Sequence, residues 1–210
     1  MLDMRNWIAR KTLNVRYFFG VRLVKLLMPM QYLWITAFKE KETTIFMKRL
    51  FGRKKLVGVE IGVETGWNAR NIIKNLNIKK IFLVDPYIVY EEMGNVITGH
   101  VNNYEKAKKR LKKFSDRVIF IKKKSSDAVS AVPNGLDFVY IDGNHSYEAV
   151  KDDIKNYYPK VRKGGVIGGH DFSSSYIGIA KAVLEFAERN NLKLQGKSID
   201  WWIVKPSDKK

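Results

Sequence analysis

The chain is predicted to be an α/β protein with a mostly parallel, Rossmann-like sheet covered by helices on both faces. Three observations predict it. From Leu56 onward, apolar runs alternate with amphipathic helical stretches. The first run ends in a glycine-bearing turn, Glu60-x-Gly62-x-x-x-Gly66, that leads straight into a helical stretch. The second run ends in an acid, Asp85, 19 residues after Gly66.

The elements follow in order. Strands are expected at 56–61, 80–84, 118–121, 136–141 and 164–169, with two more near 192–196 and 201–205. Helices are expected at 68–75, 101–113, 126–131, 146–158 and 177–189. Ligands of such sheets sit at the carboxyl ends of the strands. The stretch from Pro86 to Gly99 lacks periodic apolar residues and reads as a loop beside the site, a candidate lid.

The turn after the first strand sorts the ligand. Glycines let backbone N–H groups approach a bound molecule. A dinucleotide turn reads G-x-G-x-x-G and faces a pyrophosphate. Here Glu64 stands in place of its second glycine, and an acid there repels pyrophosphate. It suits a ligand with a cationic end, such as S-adenosylmethionine (SAM), whose amino-acid part Glu60 or Glu64 would hold. Asp85 is placed to accept both ribose hydroxyls.

Composition bounds the rest. The 210 residues suffice for one medium domain with an appendage. No cysteine is present, which excludes disulfides, thiolate metal sites and cysteine nucleophiles. The net charge is +18, and residues 1–55 alone carry 13 basic and 3 acidic side chains. A second basic cluster runs from Lys106 to Lys113, with Lys122, Lys123 and Lys124 behind it. Such a field attracts polyanions: nucleic acid, anionic lipid or acidic glycan.

Residues 1–50 form a separate segment ahead of a domain at 51–210. They mix Arg and Lys with eight aromatics in a helical pattern. The longest uncharged run, Leu26 to Phe38, is 13 residues and contains Pro29, whereas a membrane span needs about 20. No cleavable leader is recognisable. The segment is therefore expected to cap the core, to pack in a homo-oligomer, or to lie on an anionic membrane surface. The expected location is cytoplasmic, peripheral to a membrane where that surface contact is made.

The chemistry gathers at two strand ends. LDFVYID ends in Asp142, followed by Gly143-Asn144-His145, and GGVIGGHD ends in His170-Asp171. These strands should be neighbours, which brings the four side chains together on the ligand side. An acid and a histidine so placed form a metal or general-base site. Asp142 and Asp171 suit a hard cation such as Mg²⁺, and His170 as a third ligand shifts the preference toward Mn²⁺, Fe²⁺ or Zn²⁺. His145 is the candidate base, because imidazole titrates near neutrality.

The same residues carry a resemblance. LDFVYIDGNHSYEAVKDDI and YYPKVRKGGVIGGHDF resemble the class I SAM-dependent methyltransferases of the Methyltransf_24 type, which include macrocin O-methyltransferase-like sugar methyltransferases. The pattern is D-G-x-H-x-Y-x-x-V-x-x-D, then G-G-x-x-x-x-H-D. It is met by Asp142, Gly143, His145, Tyr147, Val150 and Asp153, then Gly164, Gly165, His170 and Asp171. The resemblance covers roughly residues 56–205. It implies seven strands with a reversed final strand, and methyl transfer from SAM to a hydroxyl of a sugar, glycan or other small molecule. It implies that Glu60, Gly62 and Gly66 line the methionine part, that Asp85 meets the ribose, and that Ser126 and Asp127 meet the adenine edge. Asp142 would lie near the methyl group and any metal. Metal-dependent relatives carry two acids after the fifth strand, where this chain has His170-Asp171.

Two other readings stay open. The positive charge suits a nucleic-acid, in particular RNA, methyltransferase, although Asp142-Gly143-Asn144-His145 is not the N-P-P-Y-type turn used for amino groups. The last is a non-catalytic SAM-fold protein that binds a partner or a membrane surface.

Overall fold

The computed structural model describes residues 40–92, 95–97 and 102–207, with backbone alone for 90–92 and 95–97. In chain order the elements are α1 (Glu42–Phe51), β1 (Leu56–Ile61), α2 (Trp67–Asn75), β2 (Ile78–Val84), β3 (Tyr90–Glu92), β4 (Asn95–Ile97) and α3 (Asn103–Leu111). Then come β5 (Val118–Ile121), α4 (Ser125–Ala128), β6 (Leu136–Ile141), α5 (Tyr147–Tyr157), β7 (Val161–Gly169), α6 (Ile177–Arg189), β8 (Leu194–Lys197) and β9 (Asp200–Val204).

Seven strands form one sheet in the order β5-β2-β1-β6-β7-β9-β8. The first five are mutually parallel. β9 runs antiparallel to both β7 and β8, so the final strand is reversed as expected. The order turns back at β1, where one half of the sheet leads out through β2 and the other through β6. That reversal places a crevice at the carboxyl ends of these strands.

Alternation along the strands sorts side chains to two faces. In β6, Val139 and Ile141 join a core with Val150, Ile154 and Tyr157 of α5 and Ile179 and Val183 of α6. Phe138 and Tyr140 join the other core, with Met47 and Phe51 of α1, Ile72 and Ile73 of α2, and Ala107 and Leu111 of α3. Helix α2 shows why: Ala69, Ile72, Ile73 and Leu76 fall on one side at helical spacing and are buried.

Three differences from the sequence reading have physical causes. Helix α1, inside the segment assigned to 1–50, packs into the sheet domain. Its Thr43 N–H donates to Asp200 at 2.9 Å, and Met47 is buried in the core. Residues 1–39, with their expected membrane or oligomer contacts, lie outside the described residues. The stretch read as a loop at 86–99 contains the antiparallel pair β3–β4, too short to show periodicity in sequence. Strand β7 begins at Val161 instead of 164, because Gly164 takes a left-handed φ of 71° within the strand and hides its start. Among the described residues, no helix is long and apolar enough to cross a membrane.

Candidate active site

The carboxyl ends of β1, β2, β6 and β7 open onto one cavity of about 830 Å³, a size usual for small-ligand sites. The tips are rigid because strand pairing runs past the strand ends. The N–H groups of Gly62, Asp85, Asp142 and His170 donate to the carbonyls of Val84, Ile121, Ile61 and Ile141.

Glu60 sits at the floor. It is the last α2-facing residue of β1 and is fully buried. Asn68 of α2 donates to its Oε1 at 2.9 Å, while Oε2 has no hydrogen-bond partner among the described residues. Burial pushes its pKa up to about 8; the Asn68 bond opposes this, and Asp142 and Asp85 add to it. A buried carboxylate with one unsatisfied oxygen is costly, and an ammonium is the group that would satisfy it.

Gly62 adopts φ 82°, and a Cβ there would lie 2.1 Å from the Asp142 carbonyl oxygen. Its glycine identity thus lets the turn cross the end of β6. Gly66, φ 75°, precedes α2 and packs against Ala107 and Leu111 of α3. It does not line the cavity, so its role differs from the methionine contact expected of it. Glu64 is exposed at the cavity rim with φ 50°, a left-handed conformation that a glycine would hold without strain.

Asp85 lines the cavity, but its carboxylate is largely engaged by the chain. Oδ2 accepts the Val63 and Glu64 N–H groups at 2.9 Å each, and Oδ1 accepts that of Tyr87 at 2.8 Å. A carboxylate has about four acceptor sites, so room for one ribose hydroxyl is left where two were expected. Ser126 lines the cavity beside Ser125. Asp127 is exposed, accepts from Ser126 at 3.1 Å and does not line the cavity, so an adenine contact through it is not formed in this geometry.

The other wall is a chain of side-chain contacts. His145 Nε2 lies 3.1 Å from Asp171 Oδ2, and His170 Nδ1 lies 3.2 Å from Asp171 Oδ1 and 4.0 Å from Asp142 Oδ1. The His145 ring stacks on Tyr176 at 4.6 Å. Burial raises Asp171, but bonds from His145 and His170 outweigh it and hold this acid well below the usual range. Burial raises Asp142, with His170 and Lys41 opposing. Burial lowers His170, yet Asp171 and Asp142 together leave it above its ordinary value. Asp171 itself takes φ 59°, so the backbone is strained where the two histidines meet. The four sequence-predicted tips, Asp142, His145, His170 and Asp171, thus face one cavity. Ligand atoms of Asp142, His170 and Asp171 lie within 4.8 Å of one another, the spacing of a metal site.

Three contributors were given no role in the site by the sequence reading, although Asp153 stands in the motif pattern. Lys41, just before α1, reaches the cavity and places Nζ 2.7 Å from His170 Nε2. Asn68 orients Glu60. Asp153 lines the cavity from α5 and is pushed up to about 7 by burial, against the effect of a bond with Ser125. Only Asp153 had a signal: an acid within the buried stripe of Val150, Ile154 and Tyr157.

A seven-stranded sheet of this order and strand direction, with a buried acid at the end of β1, a second acid after β2 and polar tips on β6 and β7, is the architecture of a class I SAM-dependent methyltransferase. The chain belongs to the methyltransferase domain family, whose model matches residues 59–172, more than half of it. A relative from Acanthamoeba polyphaga mimivirus, uncharacterized protein R132, is 32% identical over 125 residues, which are 58% of this chain and 54% of R132. The chain thus spans about half the length of that relative. Among solved structures, the O-methyltransferase NovP superposes with a TM-score of 0.61 at 17% identity, covering 79% of this chain and 80% of NovP. The calicheamicin methyltransferase CalS11, also named a TDP-rhamnose 3'-O-methyltransferase, gives 0.59 at 13% identity, covering 88% and 83%. SMU.1697c of Streptococcus mutans, assigned as a methyltransferase and bound to SAH, gives 0.58 at 14% identity, covering 78% and 95%.

Proposed function

We propose that the protein transfers the methyl group of SAM to a hydroxyl of a sugar, glycan or related small molecule. The observation that carries this reading is a single cavity with a buried acid at its floor, Glu60, whose Oε2 has no partner among the described residues, and an oriented imidazole, His145, on its wall. The names of NovP and CalS11 support a hydroxyl acceptor by analogy of fold.

SAM supplies an electrophilic methyl group on a sulfonium. In this reading Glu60 holds the α-ammonium through Oε2, Asp85 offers its remaining acceptor site to the ribose, and Ser126 lies by the adenine. The acceptor hydroxyl must then give up its proton as its oxygen attacks. In this reading Asp171, 3.1 Å from His145 Nε2, accepts a hydrogen bond from the ring and orients it. His145 takes the proton as the oxygen attacks, and Asp171 holds the ring in place and stabilises the imidazolium. Such base assistance is typically worth 10²–10⁴-fold, and positioning of the two reactants about 7–11 kcal/mol.

The second reading, an RNA acceptor, draws on the exposed lysines from Lys106 to Lys113 and Lys122 to Lys124, the last of which lines the cavity. One assay separates the two. Purified protein is incubated with tritium-labelled SAM and either a panel of nucleotide sugars and small glycans or total RNA. Label in an alkali-stable ether of a sugar supports the proposal. Label in RNA alone supports the second reading, and transfer to neither, with SAM bound, points to a non-catalytic protein.

A further inference from the structure

We infer that Lys41 is the resident cation of the acceptor wall, and that by engaging His170 from its Nε2 side it keeps a divalent ion out of the group Asp142, His170 and Asp171. The inference rests on the reading of the cavity as a methyl-transfer site. It starts from the placement of Lys41, which lies outside the stretch matched by the family model.

The N-terminus of α1 is tied to the β8–β9 hairpin at three points. Thr43 N–H donates to Asp200 Oδ2 at 2.9 Å, Thr43 Oγ1 donates to the Trp201 carbonyl at 3.4 Å, and Glu42 pairs with Lys197 at 3.0 Å. Asp200 is 3% exposed and belongs to the central sheet. Lys41 is therefore delivered to the cavity by the core, and its ammonium reaches His170 at 2.7 Å. Lys124, the other lysine lining the cavity, stands at the opposite end beside Ser125.

Proton positions then decide between lysine and metal. At 2.7 Å one hydrogen lies between Lys41 Nζ and His170 Nε2. If the ammonium donates it, the imidazole is neutral and its own proton is on Nδ1, facing Asp171 Oδ1 at 3.2 Å. If the imidazole is the charged partner, both ring nitrogens carry protons. In either case His170 has no lone pair to give a metal on the Nδ1 side, where Asp142 and Asp171 lie. Ligation there would require the ring proton on Nε2, where Lys41 Nζ stands at 2.7 Å and the nearest acceptor, Asp200 Oδ1, is farther away at 3.6 Å. The donor set has metal-site spacing, but its third ligand is already committed.

A cation is still what the chemistry needs. As the acceptor oxygen loses its proton to His145 and forms its bond to the methyl carbon, the carbon–sulfur bond breaks and the pair goes to sulfur. Products are an ether and a neutral thioether. The oxygen carries partial negative charge along the way. An ammonium on the cavity wall stabilises that charge.

The test uses the full-length protein and reads Mn²⁺ binding by the electron paramagnetic resonance of free Mn²⁺. Wild type and Lys41→Arg should not bind Mn²⁺ even at millimolar concentration. Lys41→Met should bind one Mn²⁺ at least about tenfold more tightly, since a like charge close to the site is removed, and Lys41→Met with Asp171→Asn should lose the gain. Methyl transfer by wild type should be unchanged in EDTA and should fall in Lys41→Met. One tightly bound Mn²⁺ on wild type that disappears in Asp171→Asn would overturn the inference, as would a Lys41→Met variant that binds no better than wild type. SAM binding, measured by calorimetry on the same samples, should persist in every variant. Its absence from wild type would remove the methyltransferase reading instead.

Discussion

The two walls of the cavity reach rigidity by different routes. On the β1–β2 side the chain backbone holds the functional groups: three N–H groups fix the Asp85 carboxylate, and Gly62 crosses the end of β6 in a conformation other residues would strain. On the β6–β7 side the side chains hold each other, from Lys41 through His170 and Asp171 to His145. The first wall is made by neighbours in sequence and by one sheet register. The second recruits residues 41, 142, 145, 170 and 171 through tertiary contacts. A backbone-built wall suits a cofactor with invariant parts, and a side-chain-built wall can change its acceptor by substitution.

The sharpest way to break the first wall is Gly62→Ala. A Cβ 2.1 Å from the Asp142 carbonyl oxygen, at positive φ, should cost about 3 kcal/mol or more. Urea unfolding should show it as a much lower midpoint. An unchanged midpoint would mean that the turn is not held against β6.

Next in size is the second wall. Asp171→Ala removes the partner of both histidines, and methyl transfer should fall about 10²–10⁴-fold while SAM affinity changes little. Loss of SAM binding together with activity would show that the two walls do not act separately.

Asp85→Asn tests what its carboxylate does. The amide keeps one acceptor oxygen and turns an NH₂ toward backbone donors, so stability should drop by about 1–3 kcal/mol, with SAM affinity falling by a smaller factor. A large loss of affinity with unchanged stability would restore the two-hydroxyl ribose contact expected from sequence.

A smaller effect is expected from pH. Glu60 is raised to about 8 from an unfolded value near 4.5, so the folded state binds more protons between those values. The stability linked to this group is present below about pH 4.5 and is lost as pH rises toward 8. Asp153, raised to about 7, acts with the same sign. Thermal unfolding of wild type should therefore weaken from pH 6 to pH 8.5, and Glu60→Gln should weaken less. Equal slopes would place Glu60 in a solvated setting.

Much of the first wall was legible in sequence because its signals are local. The β1 run, its turn and the acid after β2 lie within 30 residues, and apolar periodicity marked α2 and β6 directly. The tips of β6 and β7 were legible for the same reason: each ends an apolar run in polar residues. What escaped is tertiary. The buried face of α1 includes Thr43 and Thr44, so its packing left no apolar stripe, and Lys41 looked like one more charge in a basic segment. Gly66 has the spacing of a cofactor glycine, but α3, which covers it, lies some 40 residues later. The engagement of three of the acceptor sites of Asp85 depends on where three backbone N–H groups point.

The membrane contact proposed for the basic segment is now tested on a better-defined piece. The shortened chain should begin at Glu40, which keeps α1 and its core residues Met47 and Phe51. Full-length protein should sediment with anionic vesicles and the shortened chain should not. Equal sedimentation of both would dismiss the contact.

The central claim is that Glu60 waits for the ammonium of SAM. Calorimetric titration of SAM into the full-length protein at pH 7, in buffers of different ionisation enthalpy, tests it most directly. The account predicts one-to-one binding with release of nearly one proton, since Glu60 passes from protonated to ionised, and a Glu60→Gln variant that folds but binds SAM far more weakly and releases no proton. No binding by wild type, or undiminished binding by Glu60→Gln, would contradict it.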